Sequence, residues 1–119
     1  MLSEVGTDRV YLACGATDLR KSIDGLAVLV KECFSLDPFS KSLFVFCNRQ
    51  KNKLKILKWD RNGFWLYYRR LERGKFQWPE KSNDGSPVAI DYRQLRWLLD
   101  GLAIQQPSAH SEVKARTIV

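Results

Sequence analysis

Ten basic side chains crowd between positions 49 and 75: Arg49, Lys51, Lys53, Lys55, Lys58, Arg61, Arg69, Arg70, Arg73 and Lys75, against two acids, Asp60 and Glu72. That stretch carries a net +8 in a 119-residue chain whose total is +7, so the remainder sums to −1. Cations gathered in one stretch are the footprint of a phosphate-rich partner, because each one set against a phosphate releases condensed counterions. Aromatic residues are interleaved with them, and an aromatic face can stack on an unpaired base. Most of these rings are expected in the core, where each buries a large apolar area. Trp59, Tyr67 and Trp78 are the candidates for an exposed stacking or interface platform. The plainer reading of the same lysines is a solvated strand face that keeps an edge from pairing.

Asp18, Arg20, Lys21 and Asp24 form a second constellation. As a helix start it supplies an acid at the positive end of the dipole and an Arg20–Asp24 pair four residues apart. As a site it sets Arg20 and Lys21 on an anion at a helix N-terminus. Enzyme chemistry finds less to build on. His110 is the only histidine, which argues against a histidine-based triad or a histidine-rich metal site. No glycine-rich phosphate loop follows a strand. Asp8, Asp18, Asp24, Asp37 and Asp60 are carboxylates of the kind a two-metal nuclease uses, but most fall at turns or helix starts, where capping accounts for them. The chain is therefore expected to be no enzyme and to take neither metal nor cofactor. Cys14, Cys33 and Cys47 are odd in number and widely spaced, and each is read as a small buried hydrophobe with a free thiol.

The elements that must position these groups follow from periodicity and punctuation. Alternation around Val10 and Leu12 predicts a short strand from Arg9 to Ala13. Leu19, Ile23, Leu26, Ala27, Val30, Cys33 and Phe34 lay one apolar stripe on a helix from about Asp18 to Phe34, capped by Thr17 or Asp18. Gly25 inside it suggests close packing against a strand. Leu43 to Cys47 is an unbroken apolar run, as expected of a central strand buried on both faces. Lys53 to Trp59 and Phe64 to Leu71 alternate as a hairpin, with Asn62 and Gly63 supplying the positive φ of its turn. Lys75 to Trp78 is expected as a brief edge strand, Glu80 to Pro87 as loop, and Asp91 to Leu102 as a second helix capped by Asp91, with Gly101 marking fraying near its end. The fold class is α+β: a mainly antiparallel meander sheet with one long helix packed on it and a second, C-terminal helix. One domain spans residues 1–104, and residues 105–119 are expected to be a disordered tail. No apolar run approaches the ~20 residues of a membrane span, and the N-terminus lacks the pattern of a secretory signal. A cytoplasmic location is expected.

Several blocks resemble the TnpB accessory proteins of the IS66 family of bacterial insertion sequences. They are Gly15 to Leu26 (GATDLRKSIDGL), Asp37 to Phe39 (DPF) followed by Leu43 to Phe46 (LFVF), Lys55 to Leu66 (KILKWDRNGFWL) and Arg69 to Pro79 (RRLERGKFQWP). Their order and spacing carry the resemblance over about residues 8 to 103. Leu19 departs from it, standing where a methionine is usual. The resemblance implies an accessory factor encoded beside a separate, larger transposase that holds the strand-transfer site. Together with the charge pattern it predicts a non-catalytic protein that supports transposition by binding DNA through a basic hairpin, with the transposase and a sister accessory protein as further partners. The alternative is an adaptor that docks the transposase without touching DNA.

Overall fold

The structure, a computed structural model, describes residues 9–105. Five strands and two helices follow one another as β1 (Val10–Leu12), α1 (Ile23–Phe34), β2 (Leu43–Cys47), β3 (Lys53–Asp60), β4 (Gly63–Arg70), β5 (Val88–Ile90) and α2 (Tyr92–Leu99). They build one sheet in the order β4-β3-β2-β1-β5. All neighbours are antiparallel except β1 and β2, which run parallel with α1 as the crossover between them. The α+β class and the β2-β3-β4 meander match the sequence. The parallel pair and β5 are additions to it.

Alternation divides the core into two halves. Val10, Leu12, Leu43, Val45, Cys47, Leu54 and Ile56 point to the face covered by α2, Phe76 and Trp78. Phe44, Phe46 and Leu57 point to the opposite face, where Leu26 and Val30 of α1 meet them. Every residue of β2 is buried, which is why its sequence shows no alternation of polarity.

α1 has 12 residues and begins at Ile23, five positions after the expected start. Asp18 spends its carboxylate locally: Oδ1 accepts from the Arg20 backbone N–H at 3.0 Å, and both oxygens accept from the Arg20 guanidinium. A short polar side chain bonded to the backbone two residues on competes with helix, so residues 18–21 stay a turn. Ser22 becomes the N-cap without a side-chain bond, and Ser35 ends the helix at φ 55°. The expected Arg20–Asp24 pair is replaced by Arg20–Asp18 at 2.9 Å. A Cβ at Gly25 would meet the Lys21 Cβ at 3.2 Å, so the close neighbour of that glycine is this turn rather than a strand.

α2 is closed at both ends as its sequence asks. The Asp91 carboxylate accepts from the Gln94 N–H, and the Gln94 side chain accepts from the Asp91 N–H, a complete capping box. Gly101, at φ 82°, turns the chain so that the Leu102 N–H donates to the Trp97 carbonyl and the Gly101 N–H to the Leu98 carbonyl. That glycine is a Schellman stop rather than a site of fraying.

Three further expectations change. Lys75 to Trp78 keeps a strand's alternation, with Phe76 and Trp78 buried on either side of exposed Gln77, yet it joins no ladder of the sheet and is irregular chain rather than an edge strand. The positive φ of the hairpin turn falls on Arg61, at 54°, and not on Asn62 or Gly63. Among the cysteines only Cys47 is buried; Cys14 is half-buried and Cys33 exposed. Among the described residues no helix is long and apolar enough to cross a membrane. The expected tail lies outside the described residues, save Gln105.

Candidate nucleic-acid interface

Register decides which cations meet. β3 and β4 pair Lys53 with Arg70, Lys55 with Tyr68, Leu57 with Leu66 and Trp59 with Phe64 on the face toward α1. The intervening pairs, Leu54 with Arg69, Ile56 with Tyr67 and Lys58 with Trp65, point to the other face. Lys53 and Lys55 are thereby separated by the sheet from Lys58 and Arg69, though all four lie on one hairpin.

On the α1 face Lys53, Lys55 and Tyr68 form one wall of an open groove of about 770 Å³. The turn at 16–20 brings Arg20 and Asp18, and the loop after β2 brings Arg49. Asp18 is the only carboxylate among the lining residues, and its charge is already engaged. The Arg20 guanidinium, through its hydrogen bonds and its charge, holds the Asp18 carboxyl down at about 2. Arg20 stays 91% exposed while making that pair, so its remaining N–H groups face solvent. Among the described residues no carboxylate lies within ion-pair distance of Arg49, Lys53 or Lys55. The Tyr68 ring is 55% exposed beside them.

Two polar devices fix the groove's shape. Lys55 Nζ donates to the Leu19 carbonyl at 2.6 Å and reaches the Lys21 carbonyl at 3.5 Å, tying the 18–21 turn to the middle of β3. Asn48 Oδ1 accepts from the backbone N–H groups of Asn52 and Lys53 at 3.1 and 3.0 Å, and its Nδ2 donates to Asn52 Oδ1 at 2.8 Å. This knits the loop that carries Arg49 and lets Lys51 adopt φ 62°.

The other sequence candidates are placed elsewhere. Arg70 adjoins Lys53 in register and pairs with Glu72 at 2.8 Å. Lys51 pairs with Glu80 at 2.9 Å and shares a second hollow, of about 440 Å³, with Lys75 and Trp78. Lys21 borders a third hollow beside Cys33. Arg69 Nε donates to the Leu99 carbonyl, at the C-terminal end of α2. Arg61 and Arg73 are exposed in turns. Trp59 packs edge-on against Phe39 and Phe64, with centroids 5.0 Å away from each. Tyr67 stacks on Trp65 at 6.1 Å, and its hydroxyl is buried without a hydrogen-bond partner among the described residues. Trp78 is a core residue, 5% exposed, whose indole N–H donates to the Ala13 carbonyl at 3.0 Å.

Of the aromatics interleaved with the cations, the one that lines the groove is Tyr68 rather than Trp59, Tyr67 or Trp78, and sequence reasoning missed Asn48 and Gln50, which also line it. The signal for Tyr68 was the hairpin register: a turn closing Asp60 onto Gly63 sets it opposite Lys55. The carboxylates do not converge. Asp24 lies in the first turn of α1, Asp37 accepts from the Phe39 N–H, Asp60 accepts from the Trp65 indole, and Asp8 lies outside the described residues. Among the described residues no three His, Cys, Asp or Glu side chains gather where they could hold a metal ion.

The fold is thus a small α+β domain whose sheet, with the neighbouring loops, carries a basic groove on one face. Residues 8–109 match the family described as IS66 Orf2 like protein, and the chain belongs to that family. Membership implies an accessory role in transposition of an insertion sequence. The chain is 40% identical over 99 residues to the uncharacterized protein y4hO of Sinorhizobium fredii, covering 83% of this chain and 84% of that one. A second protein of that bacterium, the uncharacterized y4jC, is 34% identical over 71 residues, 60% of this chain and 61% of its own. No solved structure matches the chain.

Proposed function

We propose that this protein supports transposition by holding the phosphate backbone of DNA in the groove between the 16–20 turn, the Arg49 loop and the β3–β4 hairpin. The observation that carries this reading is the company of Arg20, Arg49, Lys53 and Lys55 around one opening whose only acid is neutralised. Contacts of this kind add affinity and register with little base readout. The exposed Tyr68 ring, at the groove wall, suits stacking on an unpaired base, so single-stranded or distorted ends are favoured over intact duplex.

Fluorescence anisotropy of labelled single- and double-stranded oligonucleotides across a salt series tests it. Four phosphate contacts on a single strand give a slope of log K against log salt of about −3, and Arg49→Ala with Lys53→Ala lowers its magnitude by about 1.4. Absence of binding at low salt, or a slope the double variant leaves unchanged, overturns the reading.

One feature favours the adaptor as a second reading. Phe39, 56% exposed, packs on Trp59 and Phe64 as an aromatic cluster at the hairpin end of the sheet, the kind of anchor that protein interfaces centre on. Nuclease-treated co-purification with the neighbouring transposase, lost on Phe39→Ala, supports it; an undiminished complex with Phe39→Ala counts against it.

A further inference from the structure

The two edges of the sheet are unlike. β5 has three residues, a short edge of the kind that limits further pairing, whereas β4 has eight. Among the described residues the sheet ends at β4, and only β3 pairs with it. The β3–β4 register runs through eight consecutive pairs without a bulge, so nothing twists this edge away from solvent. Positions 63–68 read Gly-Phe-Trp-Leu-Tyr-Tyr, with no proline and no charge. Soluble proteins blunt long edges with such devices, and an edge lacking them pairs with another strand. The two charges β4 does carry, Arg69 and Arg70, sit together at its C-terminal end.

From this we infer that β4 is a self-association edge, on which a second copy of the chain adds its own β4 antiparallel across a two-fold axis through Tyr67. The charge distribution selects the occupant and its direction. A parallel, in-register copy would stack each arginine on itself. An antiparallel copy separates them and lays each over an aromatic ring. A two-fold perpendicular to the sheet keeps the faces alike, so residues of equal parity oppose one another. With the axis at Tyr67, Trp65 faces Arg69 of the partner subunit and Phe64 faces Arg70 of the partner subunit, four cation–aromatic contacts in all. Trp65 is 51% exposed and stacks on Tyr67, so its ring is preset beside the axis. Moving the axis to Leu66 would set the arginines against Gly63 and Asn62 and forfeit those contacts. The product is a continuous ten-stranded sheet with both basic grooves opening on the same face, one on each side of the seam.

Sedimentation equilibrium of the full chain, nuclease-treated and at high salt so that nucleic acid cannot bridge copies, tests the pairing independently of the groove reading. The expected result is a concentration-dependent species of twice the 13.8 kDa chain mass. Trp65→Lys, on an exposed position, sets like charges opposite one another twice per dimer and weakens association about tenfold. Adding Arg69→Glu restores it, because the introduced lysine and glutamate then face each other. On the unaltered chain, amide hydrogen exchange in residues 64–70 slows as concentration rises. A monomer at every concentration, a dimer indifferent to Trp65→Lys, or exchange in β4 independent of concentration overturns the inference.

Discussion

Lys55 Nζ lies 2.6 Å from the carbonyl oxygen of Leu19, a residue 36 positions earlier in the chain. One cation of the groove is thus also the fastener of the turn that forms its opposite wall. Its neighbour Lys53, two residues away on the same strand face, makes no ion pair among the described residues.

The two lysines should separate structure from binding. Lys55→Met removes a charge-assisted, partly buried bond to the Leu19 carbonyl and is expected to cost about 1–3 kcal/mol in urea-induced unfolding. Lys53→Met, a surface change, is expected to stay within about 0.5 kcal/mol. Both should weaken oligonucleotide binding. Equal stability of the two variants would show that the Lys55 bond does not order the turn.

Asn48 offers a similar contrast. Its side-chain oxygen serves two backbone N–H groups of the loop that presents Arg49. Asn48→Ala leaves both without that acceptor and is expected to lower stability by about 1–3 kcal/mol. Asn48→Asp keeps the acceptor and should recover most of the loss. Thermal unfolding of the three proteins checks this, and the Arg49 contribution to the salt slope should fall with Asn48→Ala and return with Asn48→Asp.

Trp78 illustrates how a sequence candidate became part of the scaffold. Its indole N–H donates to the Ala13 carbonyl, 65 positions away, and fastens the irregular 71–79 segment to the end of β1. Trp78→Phe keeps an aromatic ring but orphans that buried carbonyl, an expected cost of about 1–3 kcal/mol. Oligonucleotide affinity, measured on the folded fraction, should not change. A selective loss of affinity with intact stability would return Trp78 to the binding surface.

Residue by residue, the sequence was informative where one period governs a segment. The alternation of Leu54 and Ile56 against Lys53, Lys55 and Leu57 defined the faces of β3, and Asp91 as a cap defined the start of α2. It was silent where two uses of one group compete. Asp18 is chemically fit to cap a helix or to hold Arg20, and only the latter occurs. Long-range pairing left no local trace either. Val10 lies beside Leu43 in a parallel ladder, which no pattern within either strand distinguishes from an antiparallel one. The groove was half legible for the same reason. Lys53 and Lys55 share a face by periodicity, but Arg20 and Arg49 join them through loops whose courses depend on Lys55 and Asn48.

Cys47 gives a test of the core that pH reads directly. Burial in β2 pushes its thiol up from 9.0 to about 11, against smaller opposing effects of a hydrogen bond from the Asn48 backbone and the Lys51 charge. The unfolded chain therefore ionises this thiol first. The stabilisation is whole below pH 9 and is lost as pH rises toward 11, where the unfolded state has released a proton the folded state still holds. A difference of this size corresponds to about 2 kcal/mol across that window. Cys47→Val preserves a small buried hydrophobe on the strand and removes the titration. Between pH 8 and pH 11 the unaltered protein should lose about 2 kcal/mol more stability than Cys47→Val, measured by urea unfolding at each pH with reductant present. Parallel pH profiles for the two proteins would mean that the Cys47 thiol ionises as easily in the folded chain as in the unfolded one, and that the interior beneath β2 is open to water.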